Sequence, residues 1–253
     1  MTIRSGLVGL CMIGLIGCQS MPNESTLPDR HPAGSKAAQY NTQLGMHYLQ
    51  RGSIATALDK LKKALRQDPN MSDAHSTIAL VYHRLAEHAQ ARHHFEKALA
   101  LSPKSSEIHN NFGVFLCQLR EYNKAIKHFL LAIDNPLYTR ISQAYENAGL
   151  CAREIPDITL ANDYFLKALS MTPTLPKSLL AMAQIRYQQQ QYVKAKHYLT
   201  RYKQVATWTP KALLLAIKIA KKQGDDDAVA SYILLLRGQF PDSEQAKQMN
   251  TSL

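Results

Sequence analysis

The sequence lacks the motifs by which many enzymes and metalloproteins are recognised. It contains no glycine-rich phosphate-binding loop, no nucleophile elbow and no H-E-x-x-H or C-x-x-C spacing. No run of alternating apolar and polar residues predicts a β-strand that could carry paired catalytic carboxylates. These absences argue against an enzyme, and we expect neither a cofactor nor a metal site.

Acidic residues are scarce relative to basic ones. There are 30 lysines and arginines against 19 aspartates and glutamates, a formal net charge of +11 at pH 7. Such an excess usually suggests nucleic acid as a partner. Here the basic residues are spread along the chain and are not interleaved with aromatic residues on one segment. We therefore expect no nucleic-acid binding, and a solvated surface that is attracted to anionic lipid headgroups.

The first residues have the pattern of an exported protein. Arg4 supplies a positive charge, and residues 6–17 then run without a charged side chain. This stretch is shorter than the roughly 20 residues that a membrane-spanning helix needs. It therefore predicts a secretory signal peptide over residues 1–17.

The end of this stretch, Leu15-Ile16-Gly17-Cys18, resembles the bacterial lipobox. That motif needs a thiol to receive the diacylglycerol and a small residue before it to fit the peptidase, and Cys18 and Gly17 meet these needs. In lipoproteins an aspartate after the cysteine retains the protein in the inner membrane, so Gln19 implies the outer membrane, facing the periplasm. Several acyl chains, such as palmitate, would make a lasting anchor, since one chain alone binds marginally.

Residues 18–36 contain three prolines among polar residues and little that could be buried. They predict a lipidated flexible tether that spans roughly 20–25 Å on average.

Beyond the tether, a repeat is marked by prolines. Pro69 and Pro103 are 34 residues apart, and Pro173 and Pro241 are separated by twice that distance. This period is typical of the tetratricopeptide repeat, whose signature combines Leu-Gly, Tyr, Ala, a large apolar residue and a closing Pro. We predict that residues 37–243 form six repeats, followed by a C-terminal tail, 244–253. Their approximate bounds are 38–71, 72–105, 106–139, 142–175, 176–209 and 210–243.

The resemblance implies an all-α, right-handed superhelical solenoid. The first repeat matches the signature with Leu44-Gly45, Tyr48, Ala57, Leu61 and Pro69, whereas the sixth retains little of it, as expected of a terminal repeat. Small residues at the Gly/Ala positions would let the two helices of a repeat approach closely. Apolar residues would fill the space between neighbouring repeats, so the stack would share one core.

Two groups of residues that could suggest a functional site fit the repeat better. His75 and His109 both occupy the fourth position of their repeats, and His94 and His128 share another position, so repeat geometry accounts for them. Residues 225–227 are three aspartates between the helices of the last repeat, where acidic residues stabilise a helix start. We expect packing and capping, respectively.

Two cysteines remain in the mature repeats. Cys117 and Cys151 lie in the first helices of repeats three and four, which pack side by side in such a stack. In an oxidising compartment they would form one disulfide if their Cα atoms lie about 4.4–6.8 Å apart. The alternative is a pair of buried free thiols, and the residues alone do not decide between them.

In this family the first helices of successive repeats line a concave groove that receives a partner segment. The residues whose repeat position places them at the groove have two possible roles, binding of a partner or packing between repeats. The residues concerned are Met46, Leu49, Leu80, His83, Val114, Leu150 and Arg153.

A short lipoprotein signal, a brief tether, six repeats and a cysteine pair in repeats three and four resemble the type IV pilus biogenesis and stability lipoproteins, the pilotins of the pilus secretin. The resemblance implies a monomer that binds secretin subunits and carries them to the outer membrane, where they multimerise. The alternative is a tetratricopeptide lipoprotein of another system, an adaptor for cell-wall hydrolases or for outer-membrane protein assembly.

Overall fold

In a computed structural model of the chain, the described residues are 33–155 and 158–251. The expected signal peptide, the lipid anchor Cys18 and the tether up to residue 32 lie outside these ranges. The described part contains thirteen α-helices and no β-strand. None of these helices is both long enough and apolar enough to cross a membrane.

Helices α1 to α12 form six consecutive pairs, one in each predicted repeat. The bounds are α1 (Ala33–Gln50), α2 (Ile54–Gln67), α3 (Ser72–Arg84), α4 (His88–Leu101), α5 (Ser106–Gln118), α6 (Tyr122–Ile133), α7 (Ile141–Ala152), α8 (Ile158–Met171), α9 (Pro176–Gln188), α10 (Tyr192–Val205), α11 (Pro210–Gln223), α12 (Asp226–Gln239) and α13 (Glu244–Thr251). The predicted all-α solenoid is confirmed.

The close approach of the two helices in a pair explains the small residues of the signature. A Cβ atom on Gly113 would lie 2.7 Å from Phe129 Cε1, and one on Gly149 would lie 2.8 Å from Phe165 Cδ1. Atoms cannot come this close without displacing the ring. Glycine at these positions therefore lets a fully buried phenylalanine of the second helix pack directly against the backbone of the first.

The turn between the two helices also repeats. Its residue at the fifteenth repeat position has a positive φ angle of 60–78° in five of the repeats, at Gly52, Ala86, Arg120, Gln190 and Gly224. Only two of the five are glycine, the residue that adopts this conformation at no steric cost. The packing of the helix pairs therefore holds the turn in the left-handed region even where the local sequence does not favour it.

The stack is curved, with the first helices of the repeats on the inside. Each first helix contacts the first helix of the next repeat, from α1 through α3, α5, α7 and α9 to α11. Within the described residues, no two second helices contact each other. Inner helices that touch while outer helices spread apart produce a concave face lined by α1, α3, α5, α7, α9 and α11.

Both ends of the repeat region extend beyond the predicted bounds. Helix α1 begins at Ala33, inside the segment assigned to the tether, and α13 occupies most of the segment assigned to the tail. Ala246 of α13 is buried against Leu213, Ile217 and Leu236. The tail therefore contributes a short helix that covers the apolar end of the last repeat, which its mostly polar sequence did not indicate.

The acidic residues at the start of α12 act as predicted. Asp225 is the N-cap residue of α12, and its carboxylate accepts a hydrogen bond from the backbone N–H of Ala228 at 3.1 Å. Lys196 Nζ lies 3.2 Å from the same carboxylate. The Ala228 hydrogen bond and the Lys196 contact lower the pKa of Asp225. The capping prediction is confirmed.

Candidate protein-binding groove

An apolar stripe runs along the inner helices of the first four repeats. It is formed by the residue at the ninth repeat position, and each member is half-buried: Met46, Leu80, Val114 and Leu150. Met46 and Leu80 pack against the same buried cluster, and Val114 and Leu150 line the same cavity. Their arrangement makes a continuous apolar strip on the concave face.

The larger cavity of the concave face lies between α5, α7 and α9 and has a volume of about 690 Å³. Val114, Leu150 and Phe129 supply apolar surface. Polar side chains surround them, among them Gln118, Asn147, Glu154 and Lys177. Such a mixture, an apolar floor with a few polar groups around it, suits the side chains of a bound peptide.

A second cavity, of about 390 Å³, continues the groove toward the C-terminus between α7, α9 and α11. Its apolar surface comes from Tyr187, Leu214 and Leu215. The polar residues lining it are Arg153, Gln184, Gln188, Lys211 and Lys218. No acidic residue lines this cavity, so its electrostatic character differs from that of the first.

The seven residues predicted for the groove divide into two sets. Leu49 is only 3% exposed and packs in the core beside Leu61, so it offers almost no surface to a partner. His83 is half-buried, with Nε2 hydrogen-bonded to Gln118 and its ring edge-on to Phe115 at 5.3 Å between centroids. The other predicted residues reach the groove surface, namely Met46, Leu80, Val114, Leu150 and Arg153.

Several groove residues of the last two repeats were not identified from the sequence. They are Lys177, Gln184, Tyr187, Lys211 and Lys218. All five occupy the second, ninth or twelfth position of their repeats. The ninth and twelfth positions were already assigned to the groove in repeats one to four. Extending the same register to the degenerate repeats would have found Gln184, Tyr187 and Lys218.

The two cysteines meet at the base of the first cavity. Cys117 on α5 and Cys151 on α7 are joined through their sulfur atoms, with Cα atoms 5.8 Å apart. This separation falls in the range of disulfides. Cys151 is buried, and Cys117 lines the cavity. The bridge would link repeats three and four directly beneath the apolar stripe.

The histidines at shared repeat positions form two equivalent pairs. His75 Nδ1 lies 2.9 Å from His94 Nδ1, and His109 Nδ1 lies 2.9 Å from His128 Nδ1. His75 Nε2 is 3.1 Å from the carbonyl oxygen of Pro69. A carbonyl oxygen only accepts, so Nε2 of His75 carries the proton, and in the neutral ring its Nδ1 accepts from His94.

Burial governs the protonation of these pairs. It lowers the pKa of His94 to about 4, with the neighbouring His75 adding to the effect, and it lowers the pKa of His128 to about 4 in the same way beside His109. Burial also lowers the pKa of His75. His75, His94 and His128 are therefore neutral at physiological pH, and the two pairs act as polar packing between the two helices of a repeat.

No cluster of three or more histidine, cysteine, aspartate or glutamate side chains that could hold a metal ion occurs within 33–155 and 158–251.

Comparisons with known proteins agree with the geometry of the stack. Two family models, both described as tetratricopeptide repeat, match residues 42–105 and 94–127. The chain is 35% identical to the type IV pilus assembly protein PilF of Pseudomonas aeruginosa over 243 residues, covering 96% of each protein.

Two solved structures are similar over most of the chain. A structure of Pseudomonas aeruginosa PilF has a TM-score of 0.81 and 33% identity, covering 87% of this chain and 99% of that one. The structure of PilW, described as a widely conserved type IV pilus biogenesis factor, has a TM-score of 0.77 and 30% identity, covering 84% and 97%. From its six helix pairs, its repeat signature and these relatives, the chain belongs to the PilF and PilW family of tetratricopeptide-repeat proteins of type IV pilus biogenesis.

Proposed function

We propose that this protein is an outer-membrane lipoprotein that binds type IV pilus secretin subunits in its groove and promotes their localisation and multimerisation in the outer membrane. The observation that carries the proposal is the identity to PilF along almost the whole length of both chains. Similarity over the whole length covers the N-terminal lipobox-like segment and the repeats together. The protein would act by binding and not by catalysis.

The division of labour follows from the two parts of the chain. Lipid on Cys18 would supply the destination, because multiple acyl chains hold a protein on a membrane whereas one chain exchanges. The concave face would supply the grip on the subunit. Its half-buried strip of Met46, Leu80, Val114 and Leu150 offers apolar surface whose burial is worth about 25 cal/mol per Å².

The first test is fractionation of outer membranes from cells that carry either the natural chain or the Cys18→Ala variant, probed for the secretin multimer. We expect the multimer to be lost from the outer membrane, or not to form, in the variant, although the variant protein is still exported. Ser20→Ala, close to the lipobox but outside it, is the matched control and should leave the multimer in place.

An unchanged amount of secretin multimer in the Cys18→Ala outer membranes would contradict the proposal. Deletion of the whole protein separates the two candidate functions. Loss of multimers with normal cell shape supports the secretin role, whereas abnormal cell shape with intact pili would support an adaptor of cell-wall hydrolases.

A further inference from the structure

The inner helices of the last two repeats carry charge of only one sign. Helices α9 and α11 contain no aspartate or glutamate, whereas α3, α5 and α7 contain Asp73, Glu107 and Glu146. The second repeat position shows the change directly: it is acidic in repeats two and three and lysine in repeats five and six. The groove therefore becomes positively charged toward its C-terminal end.

The lysines of this region are available to a partner. Lys177, Lys211 and Lys218 are all exposed, and within the described part of the chain none of them forms an ion pair. Arg153 is likewise exposed and makes no ion pair there. Unpaired cations close together on one concave surface repel each other, and an anionic ligand relieves that repulsion.

The buried acid of α7 does not neutralise them. Glu146 is 8% exposed, and its carboxylate accepts hydrogen bonds from the backbone N–H and the hydroxyl of Ser178, at 3.0 and 2.8 Å. These bonds hold the carboxylate at the start of α9, beneath the groove surface. The remaining acid near this region, Glu154, lines the first cavity together with Lys177 but forms no ion pair with it, and it does not line the second cavity.

The cations surround an apolar floor. Tyr187, Leu214 and Leu215 line the second cavity together with Arg153, Lys211 and Lys218. A flat bilayer surface cannot reach the floor of a concave face, whereas a single peptide segment can. The combination therefore fits a protein segment that carries both carboxylates and apolar side chains better than it fits anionic lipid headgroups.

We infer that this region binds an acidic segment of the protein partner that also carries apolar side chains. We call it the basic groove and define it as Arg153, Lys177, Tyr187, Lys211, Leu214 and Lys218. The inference rests on the proposed function and adds to it the chemistry of the segment that is bound. Carboxylates of the segment would pair with the lysines, and its apolar side chains would pack on Tyr187 and Leu214.

The test uses two variants of equal charge change. The groove variant is Lys177→Glu, Lys211→Glu and Lys218→Glu. The control is Lys62→Glu, Lys127→Glu and Lys194→Glu, three exposed lysines without ion pairs on the outer helices α2, α6 and α10. All six positions are exposed, so both variants should fold, which far-UV circular dichroism checks.

The probe is a fluorescein-labelled peptide of four Glu-Glu-Leu triplets, compared with a peptide of four Gln-Gln-Leu triplets, with binding measured by fluorescence anisotropy. We expect the acidic peptide to bind the natural protein at least tenfold more tightly than the uncharged peptide does. The groove variant should lose at least tenfold in affinity for the acidic peptide, whereas the control should lose less than threefold. The affinity of the natural protein for the acidic peptide should also fall as salt is raised. Equal binding of the two peptides, or equal loss in both variants, would overturn the inference.

The same variants distinguish this inference from the proposed function when the full lipidated chain is used to co-purify secretin subunits. If the natural protein and the control retain the subunits and the groove variant loses them, the inference is supported. If all three retain them equally, the basic groove is not the site, although the proposed function stands. If the natural protein retains none, the proposed function fails, and the peptide measurement alone decides on the basic groove. A further outcome would overturn the inference: the natural protein binds anionic vesicles, the groove variant does not, and the natural protein does not bind the acidic peptide. Lipid headgroups would then be the ligand.

Discussion

The two halves of the groove share one backbone pattern and differ in the residues that face a partner. At the ninth repeat position the first four repeats place Met46, Leu80, Val114 and Leu150, whereas repeats five and six place Gln184 and Lys218. The small residues that bring the helices of a pair together are retained in both halves, for example Gly113 and Ala183. The positions that build the stack and the positions that face the groove therefore vary independently, so one solenoid can present two kinds of surface.

Charge placed in the apolar half should have the strongest effect. Val114→Asp with Leu150→Asp should reduce co-purification of the partner by more than tenfold. Binding would bury the exposed part of each half-buried side chain, which is worth about half of the 1.5–3 kcal/mol of full burial, and a carboxylate in its place would lose its hydration. The matched control is Leu130→Asp with Leu166→Asp, two exposed leucines at equivalent positions on α6 and α8. An equal loss in the control would mean that the outer face binds the partner, and the comparison of groove halves would lose its functional meaning.

The next effect concerns the bridge between repeats three and four, which lies within the apolar half. Reduction of the Cys117–Cys151 bridge, or Cys117→Ser with Cys151→Ser, should lower the free energy of unfolding by about 2–4 kcal/mol, because the bridge closes a long loop of the unfolded chain. Urea denaturation of the oxidised and reduced protein measures this. Two reactive thiols in unreduced, denatured protein would show that the bridge does not form in the cell.

The smallest effect sharpens the comparison through pH. The two histidine pairs lie in repeats two and three, and in each pair burial lowers the pKa of one member, His94 or His128, to about 4. The unfolded chain, with a histidine pKa of about 6.5, then binds more protons than the folded chain below that pH. The contribution of these histidines to the free energy of unfolding is therefore fully present above about pH 6.5. It declines as the pH falls toward 4, by about 1–2 kcal/mol once the partial exposure of the side chains is allowed for.

Urea denaturation at a series of pH values checks this decline. In His94→Leu with His128→Leu the slope between pH 6.5 and 4 should flatten, whatever the variant's absolute stability. The matched control replaces two exposed histidines, His47→Leu with His197→Leu. An unchanged slope in the pair variant would show that the decline has another origin.

Much of the fold could be read from single residues because the repeat imposes them. Gly113 and Gly149 are required where a phenylalanine ring lies against the helix backbone, and Ala125 and Ala161 are fully buried at their shared position. A constraint that recurs at the same position of successive repeats is visible in one sequence without any alignment. The last repeat keeps few of these residues, yet its bounds of 210–243, predicted by continuing the register of its neighbours, contain the helix pair α11 and α12.

The groove was predicted only in part. Met46, Leu80, Val114 and Leu150 were found because an apolar residue at a recurring inner position is easily recognised. Leu49 shares the twelfth position with Cys117, Arg153 and Tyr187 yet is buried, because near the N-terminal end it packs against Leu61. Exposure at one repeat position thus changes along the stack, and the period alone does not contain that information.

The period, the helix pairing and the buried small residues follow from the sequence alone, because they depend on local spacing and on the space between two adjacent helices. The tertiary structure was needed to show that Cys117 and Cys151 come within 5.8 Å, that His75 meets His94 and that His109 meets His128. It also gathered Arg153, Lys211 and Lys218 around one apolar floor. These are contacts between residues some 20 to 65 positions apart in the chain. Their distances depend on how successive repeats are rotated against each other, and the packing of the whole stack sets that rotation.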